Sequence, residues 1–187
     1  MKTIRHLLLI ATAATAGMFL SAAAQGATTN STATNAPAPA ITTNKIALTV
    51  VKVDSEETAA EDGKGANAVD GDPNTIWHTQ WQNENPPACP HEIVIELVPP
   101  TAIKGFTYLP RQDDSENGTI KDYELYVSND GTDFGQPVAK GTFENSKDKK
   151  TVAFTAKTCR FIKLKALSEA NDGAWTSAAE IGVVPNN

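Results

Sequence analysis

The chain has 187 residues and a formal charge of −6, and its first 24 residues have the make-up of an export signal: Lys2, Arg5 and His6, an apolar run from Leu7 to Leu20, then Ala22-Ala23-Ala24 for a signal peptidase. Losing one lysine, one arginine and no acid takes the charge from −6 to −8, which argues against nucleic acid and anionic membrane as partners, since both need a basic face. The apolar run is too short and Ala-rich to anchor the chain, no cysteine follows it to take a lipid, and no other stretch could span a bilayer, so a soluble product in the periplasm or outside the cell is expected, without membrane insertion.

Residues 25–44, QGATTNSTATNAPAPAITTN, carry no charge and little apolar bulk. They cannot bury enough surface to offset chain entropy, which predicts a disordered tether. Residues 45–187 remain, 143 in number and the size of one domain.

That part reads as short strands between turns, with almost no helical period. Ile46 to Val53 opens the series, Ile93, Ile95 and Leu97 alternate with Val94 and Glu96, and Ile103 to Leu109 follows the breaker Pro99-Pro100. Tyr123, Leu125 and Val127 form the next alternation, and Val138 to Phe143, Thr151 to Phe154, Cys159 to Leu167 and Ala178 to Val184 complete it. About eight evenly spaced strands predict an all-β sandwich or jelly roll, with one helical turn near Ala66 to Val69. Phe106, Tyr108, Tyr123, Phe154 and Phe161 are expected in or beside its core, and Lys147 to Lys150 in a polar hairpin turn.

Cys89 and Cys159 are the only cysteines of an exported chain, and each stands at the start of a predicted strand. A disulfide between them is expected, closing a loop of about 70 residues and contributing roughly 4 kcal/mol in the chain-entropy model.

The densest chemistry runs from Ala66 to Trp81, ANAVDGDPNTIWHTQW. Asp70 and Asp72 flank Gly71, Pro73 stiffens the exit, and Thr75 adds a hydroxyl and a carbonyl. Such a turn can aim several hard oxygens at one point, as Ca2+ requires, but DGDPNT is equally the composition of an ordinary tight turn. His78 and Trp81 close the stretch, Arg111 ends a predicted strand, Asn117 lies in the following loop, and Trp175 sits in the polar loop NDGAWTS. Sugars are held by this mixture, aromatic faces stacking on the C–H side of the ring while charged and amide groups fix hydroxyls. Each residue also has a plainer role open to it. Trp77 is expected in the core, Trp81 could lie at its edge, His78 could be a structural imidazole, Arg111 could merely pair with Asp113 or Asp114, and His91 is expected at the surface.

AVDGDPNTIWHTQW, PHEIVIEL, GFTYLPRQD, NGTIKDYELYVSNDG, CRFIKLKALSE and SAAEIGV, in that order across Val53 to Val184, resemble the coagulation-factor type C (discoidin-like) domain, and in particular bacterial carbohydrate-binding module family 32. The resemblance implies a β-sandwich with a structural Ca2+ joining an early loop to the last strand. Its ligands would be the Asn67 carbonyl, Asp70, Asp72, Thr75, the Ala179 carbonyl and Glu180. It also implies a loop-borne sugar site in which His78, Arg111 and Asn117 take the polar positions, Trp81 and Trp175 the aromatic ones, and Glu61 a further hydrogen-bonding one.

The expected function is therefore a secreted, non-catalytic glycan-binding module for galactose-type or N-acetylhexosamine-type sugars. A discoidin-type protein-binding domain, or an accessory subunit of a glycan-degrading assembly, is the alternative. Asp113, Asp114 and Glu116 lie in one solvated loop with nothing visible to separate their pKa values, which argues against glycoside hydrolysis. Such modules commonly ride on large glycosidases, whereas this sequence ends three residues after Val184, so a free-standing binder or a subunit is expected.

Overall fold

In the computed structural model, which describes residues 45–187, the alternating segments become eight antiparallel strands: β1 (Ala47–Val53), β2 (Trp77–His78), β3 (His91–Leu109), β4 (Asp122–Ser128), β5 (Ala139–Thr142), β6 (Lys150–Ala166), β7 (Ser177–Ala178) and β8 (Glu180–Pro185). A 3-10 turn spans Gly65–Val69, where one helical turn was expected. The proposed export signal and tether lie outside the described residues.

The strand count matches the expectation, but the strands are divided differently. Pro99-Pro100 does not end a strand: β3 continues through it, with its register against β6 shifting between Glu96 and Thr101. Proline donates no ladder hydrogen bond, so it is tolerated where a strand bulges, and the bulge bends the strand instead of ending it. The segments Thr151 to Phe154 and Cys159 to Leu167 likewise join in β6.

These two long bent strands carry the sandwich. The first half of β3 pairs with β1 and with the second half of β6, which continues to β4 and β5; the second half of β3 lies between β8 and the first half of β6. Ile93, Ile95, Leu97, Leu125, Ile162 and Leu164 face inward from one half, Ile103, Phe106, Tyr108 and Ile181 from the other, all essentially inaccessible. Phe106 meets Tyr123 edge-on at 5.5 Å, joining β3 and β4, which are not ladder neighbours, and Phe143, just after β5, stacks on Tyr123 at 4.1 Å. Phe154 packs against this core from a partly buried position, and Phe161 lies half-buried under the Arg160 guanidinium.

The expected disulfide is not formed. Cys159 lies within β6 opposite Thr101, whereas Cys89 precedes His91, whose partner on β6 is Ala166. The extended chain from Cys159 to Ala166 spans on the order of 20 Å at about 3.3 Å per residue, and a disulfide needs Cα atoms within about 7 Å. Both thiols are free: Cys159 is buried in the core, and Cys89 Sγ rests 3.6 Å from the Ala174 carbonyl. His91 also departs from expectation, being fully buried rather than at the surface.

Candidate functional site

The short β2–β7 ladder gathers the chemistry. Trp77 pairs with Ala178 and His78 with Ser177, and the pairing extends outward as Thr79 N–H donates to the Thr176 carbonyl at 2.9 Å and Thr176 N–H to the Thr79 hydroxyl at 2.8 Å. Alternation along β2 sends Trp77 inward, 1% exposed, its indole donating to the Ser55 carbonyl. This leaves His78 beside Ser177, one step from Thr176 and two from Trp175.

Ser177 also draws in the Asn117 loop. Its amide donates to the Gly118 carbonyl at 2.7 Å and its hydroxyl to the Asn117 carbonyl at 3.0 Å. Gly118 has φ +83°, and a Cβ there would lie 2.7 Å from the Ser177 nitrogen, so only glycine permits this approach. Glu169, buried, ties the same loop to the tryptophan loop by accepting from the amides of Gly118, Asn171 and Gly173.

A second buried carboxylate builds the opposite wall. Glu57 accepts the amides of Ala59 and Ala60 in its own turn and those of Trp81 and Gln82 across from it. Those bonds, led by Trp81 and Gln82, hold its pKa down at about 2. They bring Glu61 to Trp81, whose indole N–H donates to Glu61 Oε1 at 2.9 Å while the ring stays 39% exposed.

The result is a cavity of about 260 Å3 lined by Glu61, His78, Trp81, Arg111, Asn117 and Trp175, together with Ser115. The six residues proposed for a ligand from the sequence thus share one cavity, and Ser115 joins them from a loop whose composition gave no reason to single it out.

Arg111 is 7% exposed and does pair with Asp113, through Nε at 2.7 Å and NH2 at 2.6 Å, with NH1 3.4 Å from the Asn117 carbonyl. A guanidinium has five N–H groups, so this leaves one hydrogen on each terminal nitrogen for a ligand. The pair is thus a mount for Arg111 as well as an ion pair, and the Arg111 hydrogen bonds hold Asp113 below the usual carboxylate range. His78 is 3% exposed, and its Nδ1 lies 2.6 Å from the Thr79 carbonyl, which can only accept. The proton is therefore on Nδ1, and in the neutral ring Nε2 is an acceptor with no hydrogen-bond partner among the described residues. Burial keeps the His78 pKa below the ordinary value, aided by Arg111. Donors on Arg111, acceptors on His78 and Glu61, and two indole surfaces suit a small polyol with one apolar face.

Of the proposed metal ligands, Asp70, Thr75 and Glu180 meet elsewhere. Gly71, with φ +86°, donates its amide to Glu180 Oε1 at 2.7 Å, and the Thr75 hydroxyl donates to Asp70 Oδ2 at 2.7 Å. Burial, and then the Asp70 carboxylate beside it, raise the Glu180 pKa. Asp72 turns its carboxylate to the Asn74 amide and side chain. Among the described residues no three His, Cys, Asp or Glu side chains converge, so two acidic side chains, Asp70 and Glu180, are drawn together here. The other oxygens of a cation site would be the Thr75 hydroxyl and the main-chain carbonyls of Asn67 and Ala179.

Residues 50–181 match the family model of the F5/8 type C domain. A sialidase of Micromonospora viridifaciens is 41% identical over 136 residues, covering 73% of this chain and 21% of the sialidase, so the chain spans about a fifth of that relative. Among solved structures, a family 32 carbohydrate-binding module from Clostridium perfringens in complex with GalNAc-β-1,3-galactose superposes with a TM-score of 0.67 at 36% identity, covering 73% of this chain and 94% of that one. A second, the family 32 module of NanJ from C. perfringens in complex with galactose, gives a TM-score of 0.62 at 31% identity, covering 73% of this chain and 92% of that one.

Proposed function

This chain belongs to the F5/8 type C domain family, and from that premise we propose that it is an exported, non-catalytic glycan-binding module for galactose-type or N-acetylhexosamine-type sugars. The observation that carries the reading is the single cavity holding Glu61, His78, Trp81, Arg111, Asn117 and Trp175. A sugar hydroxyl donates to the free Nε2 of His78 and accepts from Arg111, while an indole ring covers the C–H face. Asp113 holds Arg111 in aim, and Glu57 and Glu169 fix the loops that carry Glu61, Trp81, Asn117 and Trp175. The two similar modules solved with galactose or GalNAc-β-1,3-galactose support this choice of ligand.

A Ca2+ with a structural role belongs to the same reading. Asp70 and Glu180 repel each other as they stand, and their oxygens, with the Thr75 hydroxyl, are the hard donors that this ion takes. When bound, the ion supplies charge neutralisation and joins the loop after the 3-10 turn to β8. A glycan array run with and without Ca2+ tests the proposal. Selective retention of glycans ending in galactose or N-acetylgalactosamine supports it, and retention of no glycan in either condition refutes it.

A further inference from the structure

Trp175 is held by its backbone and not by its own polar group. Its indole nitrogen is buried without a hydrogen-bond partner, the one such side-chain atom among the described residues, so the bonds on the flanking residues decide where the ring stands. Glu169 holds Gly173 N–H at 2.7 Å, Thr79 holds Thr176 N–H at 2.8 Å, and His91 Nε2 holds the Ala174 carbonyl at 2.9 Å. The last of these depends on a proton. His91 Nδ1 faces Asp54 Oδ2 at 2.8 Å, and Asp54 Oδ1 already accepts the Glu92 amide at 2.7 Å. A carbonyl and a carboxylate are both acceptors, so both ring nitrogens must carry hydrogen, and the fully buried ring is an imidazolium.

We propose that the Asp54–His91 pair positions Trp175 through the carbonyl of Ala174, so that the proton on His91 sets how well the cavity grips its sugar; the second half of this rests on the glycan reading above. Without the second proton a neutral His91 keeps one donor for two acceptors. The Asp54 carboxylate outcompetes the carbonyl for it, leaving the Ala174 carbonyl with only the weak Cys89 thiol contact at 3.6 Å and the ring with the Gly173 and Thr176 amide bonds. The charged and titratable groups around His91 are few. Asp54 comes from the end of β1, the Cys89 thiol precedes it in its own segment, and Glu169 in the tryptophan loop is spent on backbone amides. Glu92, next along β3, lies 3.8 Å and 3.6 Å from Lys163 and Lys165. Burial lowers the His91 pKa, and the bonds to Asp54 and Ala174 more than offset it, leaving the value raised. Burial raises the Asp54 pKa, but the bond to His91 and the Glu92 amide together outweigh it, leaving the value lowered.

The test follows the Trp175 indole N–H resonance, assigned with Trp175→Phe, in the ligand-free protein across pH, beside galactose titrations of the parent and His91→Gln. In the parent the resonance should move with the His91 ring titration, and galactose binding should weaken on the alkaline side of it. In His91→Gln the resonance should be displaced and lose that pH step, with galactose held about tenfold less tightly below it, as for the loss of one charge-assisted bond. A Trp175 resonance that is the same in His91→Gln as in the parent, or undiminished galactose affinity, overturns the proposal. Should His91→Gln not fold, Asp54→Asn decides, since the step must then shift to lower pH and an unshifted step counts against the pair. If the parent binds no galactose, the glycan reading fails, while the indole resonance still decides whether His91 positions Trp175.

Discussion

Gly71 donates its amide to the Glu180 carboxylate at 2.7 Å across 109 positions of sequence, so the loop after the 3-10 turn and the last strand meet where two acids face each other. Chelation should therefore lower the melting temperature. A site filled at about 100 times its Kd adds roughly 2.7 kcal/mol to stability, several degrees for a domain of this size. Asp70→Ala should melt lower than the parent in Ca2+ and ignore EDTA, as read by calorimetry.

Trp77 and Trp175 should separate by what they touch. Trp77 is buried and bonded to Ser55, so Trp77→Ala should cost about 3–5 kcal/mol of folding stability in denaturant titrations. Trp175 lines the cavity, half-buried, with no bond from its indole, so Trp175→Ala should leave the denaturation midpoint nearly unchanged and abolish sugar binding. Unfolding of Trp175→Ala would assign that ring to the core.

Sugar affinity should follow a bell-shaped pH profile around the ordinary imidazole value of about 6.5. On the acid side, protonation of His78 turns its Nε2 acceptor into a donor; because burial lowers that pKa, the loss begins only below the ordinary value. On the alkaline side, loss of the His91 proton acts at the raised value. The stability contributions run in the same directions. That of His91 is complete below its unfolded pKa and lost as pH rises through the folded one, whereas that of neutral His78 is present above its unfolded pKa and lost as pH falls through the folded one. His91→Gln should erase the alkaline limb alone, measured by titration at each pH.

Both thiols should alkylate, and at different rates. Cys89 is half-buried beside the Ala174 carbonyl and Cys159 is fully buried, burial raising the pKa of the first and pushing that of the second up to about 11. Iodoacetamide with mass spectrometry should find Cys89 modified first and Cys159 only on unfolding. A mass two units low, with neither thiol reactive, would restore the disulfide.

Much of this molecule was legible before its structure, and the part that was not has a common cause. Alternation placed Ile93, Ile95 and Leu97 in the core, and the aromatic and polar residues near Trp81, Arg111, Asn117 and Trp175 suggested a shared ligand. The sequence could not reveal that Pro99-Pro100 bends a strand, because that depends on which neighbour continues beside it. It also misled about His91 and the two cysteines, since burial and pairing follow from register: His91 lies opposite Ala166 and Cys159 opposite Thr101. Glu57 and Glu169 were overlooked because a carboxylate that binds chiefly backbone amides has no sequence signature. A glutamate beginning a loop between site residues is the nearest clue.

The most direct measurement is a calorimetric or NMR titration of the protein with galactose and with N-acetylgalactosamine, beside Arg111→Ala. A sugar ring of about a dozen heavy atoms at ~0.3 kcal/mol each yields near −4 kcal/mol, or a Kd of about a millimolar. Removing the guanidinium should cost a further 1–3 kcal/mol or about that, enough to make binding undetectable. The account predicts saturable shifts at His78, Trp81, Asn117 and Trp175 in the parent and none in the variant. Parent-like binding by Arg111→Ala, or a parent that binds neither sugar, would contradict it.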